Sequence, residues 1–140
     1  MIVVGYPCIG KSSVCKKNVR FIDLDYTNFK EFQTYIKVAL DLDRQGYIVF
    51  VTCHQAVRDR LREVDYLLIY PCLELEDEWI KRAEERYKNN KEEKYLKALE
   101  RVKYLYKQDI ETLNGVDKRK IILENTNYDL EELVLRRCGR

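Results

Sequence analysis

The stretch Met1 to Ser13, MIVVGYPCIGKSS, constrains this chain more than any other. An apolar run, Ile2 to Val4, stops at Gly5, and Gly10, Lys11 and Ser12 follow at the spacing G-x-x-x-x-G-K-[ST] without mismatch. That is the spacing of a phosphate-binding loop, and it has a mechanical reason. Such a loop wraps backbone N–H groups around a phosphate, and glycine tolerates the φ angles and the close approach. Lys11 is then placed to reach the outer phosphates of a nucleotide and Ser12 to ligate Mg2+. A helix beginning near Lys11 points its positive end at the same anion. Gly5, Cys8, Ile9, Gly10, Lys11, Ser12 and Ser13 are therefore the candidate nucleotide-binding residues. The plain alternative is a glycine-containing strand–helix turn followed by a chance Lys-Ser.

The next segments alternate strand and helix. Phe21 and Ile22 lead into Asp23-Leu24-Asp25, read as the end of a second strand. Two aspartates alternating with Leu24 face one side in strand geometry. Beside a phosphate loop that side is the cleft, so one carboxylate is expected in the Mg2+ shell and the other on the acceptor. The alternative is a polar strand end or a helix cap. Asn28 and Glu31 resemble a capping box opening a helix that runs through Phe29, Phe32, Ile36, Ala39 and Leu40 to Gly46. The stripe reads as core, with Phe29 near enough to the aspartates to line an acceptor pocket. Tyr47 to Cys53, YIVFVTC, suits a central strand buried on both faces. His54, the only histidine, and Arg58 follow it, ahead of a buried stripe of Val57, Leu61 and Val64. Arg58 is suited to clamp an acceptor phosphate. A structural His54 and a solvated Arg58 are the rival readings. No Asp ends this third strand, so the magnesium carboxylate falls to Asp23 or Asp25.

Asp65 to Tyr70 reads as a fourth strand stopped by Pro71, and Glu74 to Asn89 as an amphipathic helix with an acidic first turn. Trp79, Ala83 and Tyr87 share one face, Arg82 and Arg86 another. Two arginines there suit a lid, spanning about residues 72–94, that closes on a transferred phosphoryl group. A surface ion-pair ladder with Asp77 and Glu78 is the competing reading. After the polar break Asn89 to Lys94, a long helix carries Tyr95, Leu99, Val102, Tyr106, Ile110 and Leu113 and ends at Asn114-Gly115. Lys120 to Leu123 gives a fifth strand and Glu124 to Asn127 a polar loop. Thr126 or Asn127 is expected to cap a last helix with Leu130, Leu133 and Val134 inward, before a basic tail of Arg136, Arg137 and Arg140.

With 140 residues, 46% hydrophobic and 36% charged, no internal repeat and no linker, the chain is expected to form one domain, 1–140. A net charge of +2 argues against a dedicated nucleic-acid binder and leaves room for a local basic groove. Five cysteines without C-x-x-C spacing read as reduced thiols of a cytoplasmic protein. The first strand begins at residue 2, so no signal peptide is expected, and no apolar run approaches membrane-spanning length.

The order of elements resembles the phosphate-loop kinases of small molecules: nucleoside monophosphate kinases and their shikimate- and gluconate-kinase relatives. GYPCIGKSS carries the likeness specifically; FIDLD, WIKRAEERY and KIILENTNYDLEELV support it. The resemblance implies a three-layer α/β fold with a five-stranded parallel sheet in the order 2-3-1-4-5, helices on both faces and a helical lid. It also implies ATP and Mg2+, with Thr126 and Asn127 near the adenine. A narrower likeness is to the small deoxynucleotide-supply kinases of bacteriophages. The chain departs from the pattern in lacking the third-strand carboxylate and a large inserted substrate domain. The expectation is phosphoryl transfer from ATP to a deoxynucleoside monophosphate, with Lys11, Asp23, Asp25, Arg82 and Arg86 catalytic and Asp25, Phe29, His54 and Arg58 on the acceptor. The rivals are a kinase of a hydroxyl group, on a small molecule or a hydroxymethylated nucleotide or DNA base, with Asp25 as base, and a non-catalytic nucleotide-binding module. A homodimer stays open.

Overall fold

The structure is a computed structural model and describes residues 1–138. Five strands, β1 (Ile2–Gly5), β2 (Phe21–Asp23), β3 (Ile48–Thr52), β4 (Tyr66–Pro71) and β5 (Arg119–Leu123), form one parallel sheet in the order β2-β3-β1-β4-β5. The expected fold class and strand order hold. Val4 of β1 lies opposite Val51 of β3 and Leu68 of β4. These three strands are buried along nearly their whole length, which is why their sequences are unbroken apolar runs. β5 is an edge strand and alternates instead: Ile121 and Leu123 are buried and Ile122 is exposed.

Parallel neighbours need crossover connections, and these are supplied by α1 (Lys11–Lys17), α2 (Phe32–Arg44), α3 (Gln55–Arg60), and the pair α4 (Glu76–Asn89) and α5 (Glu93–Asn114). A final helix, α6 (Leu130–Arg137), follows β5. The first crossover runs from β1 past β3 to β2, and every later one runs the other way across the sheet. With right-handed crossovers, α1 covers one face and the other connecting helices cover the opposite face. α6 packs against α1, and α5 packs against both β4 and α4. Val102, Tyr106, Ile110 and Leu113 give α5 its buried seam, as their spacing predicts. Among the described residues no helix is long and apolar enough to cross a membrane.

Local capping chemistry overrides the sequence expectation in three places. β2 stops at Asp23, and Asp25 lies beyond it. The Asp25 Oδ1 accepts from the backbone N–H of Thr27 at 2.9 Å and its hydroxyl at 2.7 Å, opening a 3-10 turn at Tyr26–Asn28. Such a side-chain turn competes with the strand ladder, so the two aspartates do not share a strand face. The Asn28 and Glu31 capping box does not form: Asn28 is inside that turn and α2 begins at Phe32. α6 is capped by Asp129, whose Oδ1 accepts from Glu132 N–H at 3.2 Å, and not by Thr126 or Asn127. Gly46, at φ 94°, follows the last turn of α2 as expected. Arg140 of the expected basic tail lies outside the described residues.

Candidate functional site

The chain leaves β1 between β3 on one side and β4 on the other, at the point where the strand order reverses. That is where an open parallel sheet has its ligand crevice. Residues 6–10 fill the turn. A Cβ on Gly5 would stand 2.8 Å from the Ile9 Cδ1, so any larger residue there would make the Ile9 side chain shift. Gly10 has φ 104° and its carbonyl accepts from Val14 N–H, the first bond of α1. Cys8, at φ 68°, is the one non-glycine residue in the left-handed region among the described residues. The motif pattern leaves that position open, so the sequence carried no sign of it.

Three consecutive loop carbonyls are tied down by side chains from elsewhere. Trp79 Nε1 donates to Pro7 O at 2.8 Å, Arg82 Nη1 to Cys8 O at 3.0 Å, and the Tyr128 hydroxyl to Ile9 O at 2.8 Å. Arg82 Nη1 also donates to the Tyr128 oxygen at 2.9 Å, and Nη2 to Thr126 O at 3.1 Å. Its guanidinium lies over the rings of Trp79 and Tyr128, 4.4 and 5.4 Å from their centroids. Indole and guanidinium only donate, and Tyr128 accepts from Arg82 while giving its own proton to Ile9. The three carbonyls are therefore held on one side. In a trans peptide the next residue's N–H points the opposite way. The amides of Cys8, Ile9 and Gly10 face away from these supports, and no protein acceptor among the described residues meets them. Successive amides turned one way make an anion-binding concavity.

Ser12 and Asp23 meet at the edge of this concavity, Ser12 Oγ donating to Asp23 Oδ2 at 3.5 Å. A hydroxyl and a carboxylate beside a phosphate site are the hard oxygen donors Mg2+ takes when substrate oxygens and water complete its shell. Among the described residues no cluster of three His, Cys, Asp or Glu could hold a metal without such help. The Cys8 thiol is pushed up by burial, which Arg86, Lys11 and Arg82 offset only in part, so it stays protonated at neutral pH.

The structure divides both residue pairs singled out by spacing. Asp23 sits at Ser12, whereas Asp25 is held by Thr27 on one oxygen and by Lys94 Nζ on the other at 2.8 Å. Burial alone would raise the Asp25 carboxyl, but the Lys94 and Thr27 hydrogen bonds outweigh it and hold it low. Donating this bond to Asp25 raises the Lys94 ammonium in turn. Arg82 lies behind the phosphate loop. Arg86 stacks on Tyr95 at 4.7 Å, with its Nε buried and without a hydrogen-bond partner. Neither arginine forms the ladder with Asp77 or Glu78 among the described residues. Trp79 and Ala83 are fully buried, which roots α4, the centre of the 72–94 segment, in the core.

Beyond β3, His54 occupies the N-cap position of α3 without a side-chain cap bond. It is open to water on one side and crowded on the other. That partial desolvation, then the charges of Arg101 and Lys11, hold its imidazole below the ordinary 6.5. The imidazole is thus expected to be neutral at pH 7 and, followed by NMR, to titrate below 6.5. A midpoint at or above that value would contradict this environment. Tyr26 packs edge-on against His54 at 6.3 Å, and Phe29 against Tyr35 at 5.4 Å. Arg58 Nε donates to Cys53 O at 3.0 Å. Thr126 and Asn127 are exposed on the loop before α6.

Sequence reasoning missed Trp79 and Tyr128 as supports of the loop, Lys94 as the partner of Asp25, and Arg101, which grips Asp109 through two bonds of 2.9 and 3.0 Å. The sequence put Trp79 and Arg82 on different faces of the helix, whereas the Arg82 guanidinium lies over the Trp79 ring and the two side chains support adjacent carbonyls. Fold and site together define a parallel α/β protein whose G-x-x-x-x-G-K-S loop leaves β1 at the switch point of its sheet. No protein-family model matches the chain, and no curated protein matches it.

Proposed function

We propose that the chain is an ATP-dependent phosphotransferase that converts a (deoxy)nucleoside monophosphate to the diphosphate. The observation carrying this reading is the anchoring of the Pro7, Cys8 and Ile9 carbonyls by Trp79, Arg82 and Tyr128, which leaves the three amides that follow them without a protein acceptor among the described residues and available to an anion. Those amides and Lys11 hold the β- and γ-phosphates of ATP. Ser12 and Asp23 hold Mg2+, which supplies neutralising charge between those phosphates. Asp23 thereby takes the part of the carboxylate that the end of β3 lacks. Arg86, with a buried donor unpaired, is the arginine for the transferred group, while Arg82 acts only through the loop. His54, Arg58 and Phe29 line the acceptor side, and Thr126 and Asn127 the base of ATP.

Catalysis in this reading is positioning plus charge stabilisation. A phosphate oxygen as nucleophile needs no strong base. That agrees with Asp25, whose two oxygens are both engaged and whose carboxyl is held low. A hydroxyl-directed kinase would need such a base, and Asp25 is poorly placed to be it. The test is ATP consumption measured over nucleoside monophosphates, sugars, hydroxymethylated nucleotides and short DNA. Stimulation by deoxynucleoside monophosphates is expected. Stimulation by a hydroxyl acceptor instead would replace this reading with its rival, and turnover with none of them would leave a nucleotide-binding module.

A further inference from the structure

Across the mouth of the crevice the chain makes an ionic contact between its two flanks. Lys94, in the first turn of α5, donates to Asp25 at 2.8 Å across 69 residues of sequence. Asp25 follows β2, on the β3 side of β1, while the α4–α5 hairpin rises from β4 on the other side. The pair therefore bridges over the loop that leaves β1. The other ion pairs near the hairpin tip, Lys94 with Glu92 and Lys97 with Glu93, stay within the hairpin.

This bridge is built to be exchanged. Its side chains are 36% and 25% exposed, so water screens the attraction and another anion can compete for the ammonium. A phosphate is a stronger competitor than a carboxylate, with more charge and three acceptor oxygens. Lys94 does not stand alone. Its Nζ lies 5.3 Å from the Tyr95 ring centroid, and the Arg86 guanidinium lies 4.7 Å from the same centroid. Arg86 Nε is buried without an acceptor, a donor whose partner is not supplied by the protein. Two cations thus flank one ring at the edge of the phosphate crevice, one lent to Asp25 and one unpaired.

We propose that Asp25 and Lys94 form a clasp holding the α4–α5 tip across the crevice, and that a ligand phosphate opens it by taking Lys94, which then grips that phosphate together with Arg86. Asp25 is in this view an internal stand-in for the ligand's anion. The proposal rests on the reading of the crevice as a nucleotide phosphate site.

The two ends of the clasp must respond with opposite sign. Asp25→Asn removes the competitor and leaves Lys94 free, so magnesium-ATP is expected to bind about threefold tighter by calorimetry at low ionic strength. Lys94→Met removes the cation itself, and binding is expected to weaken about tenfold. Lys94→Arg keeps the charge and should bind near the wild-type affinity. An ordinary structural ion pair would give shifts of the same sign from both ends. Same-sign shifts, or none, in folded variants of a chain that binds magnesium-ATP would overturn the clasp and leave the phosphate site standing. A wild-type chain that binds no magnesium-ATP would overturn the phosphate reading, and the clasp with it.

Discussion

Lys11→Ala is expected to bind magnesium-ATP at least about a hundredfold more weakly than the wild-type chain, a loss of about 2.7 kcal/mol. The lysine is half-buried at the first turn of α1, directly after the loop whose Cys8, Ile9 and Gly10 amides meet no protein acceptor among the described residues. Removing it takes away the one full positive charge that the loop itself contributes. Its ammonium forms no hydrogen bond or ion pair within the protein among the described residues, so the fold should not notice. The variant is expected to unfold at the wild-type temperature without nucleotide and to lose the upward shift that nucleotide confers on the wild type. Calorimetry and thermal melts with and without magnesium-ATP read both quantities. Affinity equal to wild type would remove the foundation of the kinase reading.

Arg82→Ala is expected to behave differently, because Arg82 is part of the framework. It donates to Cys8 O, Thr126 O and the Tyr128 hydroxyl and stacks on two rings. Hydrogen bonds from a charged group contribute about 1.5–3 kcal/mol each and do not add independently, so a loss of about 2–4 kcal/mol in unfolding free energy is expected. Nucleotide affinity should fall as well, by about tenfold, since the Cys8 carbonyl is no longer held back against α4. Trp79→Phe keeps a buried ring and removes one bond to Pro7 O, so about 1 kcal/mol is expected there. An arginine that touched only the transferred group would show another pattern, with stability and binding unchanged and turnover reduced. Denaturant unfolding and nucleotide titration of Arg82→Ala separate the two. Wild-type stability and affinity would return Arg82 to the lid.

The parts of the fold that were legible in the sequence are those where one physical pattern dominates. Tyr47 to Cys53 suits a strand buried on both faces, and β3 occupies Ile48–Thr52. The seam from Val102 to Leu113 fixes α5. The motif places the loop, because Gly10 sits at a φ that favours glycine and Gly5 lies close against the Ile9 side chain. The misses occur where a polar side chain bonds its own neighbourhood. Asp23 and Asp25 look equivalent in an alternating strand, but Asp25 turns the chain at Thr27 and Asp23 does not. The Asp129 cap was hidden by two better-looking candidates just before it. Contacts across long separations were the least legible. Nothing at Lys94 announces Asp25, and nothing in the word WIKRAEERY says that its first arginine faces the back of a loop rather than its mouth.

The way the loop is supported bears on how portable the motif is. Its nine residues sit at the amino terminus, yet the donors that set its shape come from positions 79, 82 and 128. Grafted after another strand, GYPCIGKSS would arrive without its supports, free to turn its peptide groups either way. In the kinase reading the loop therefore has its full set of supports only once Tyr128 has joined the fold. A short signature thus owes its shape to side chains more than seventy positions away in the chain.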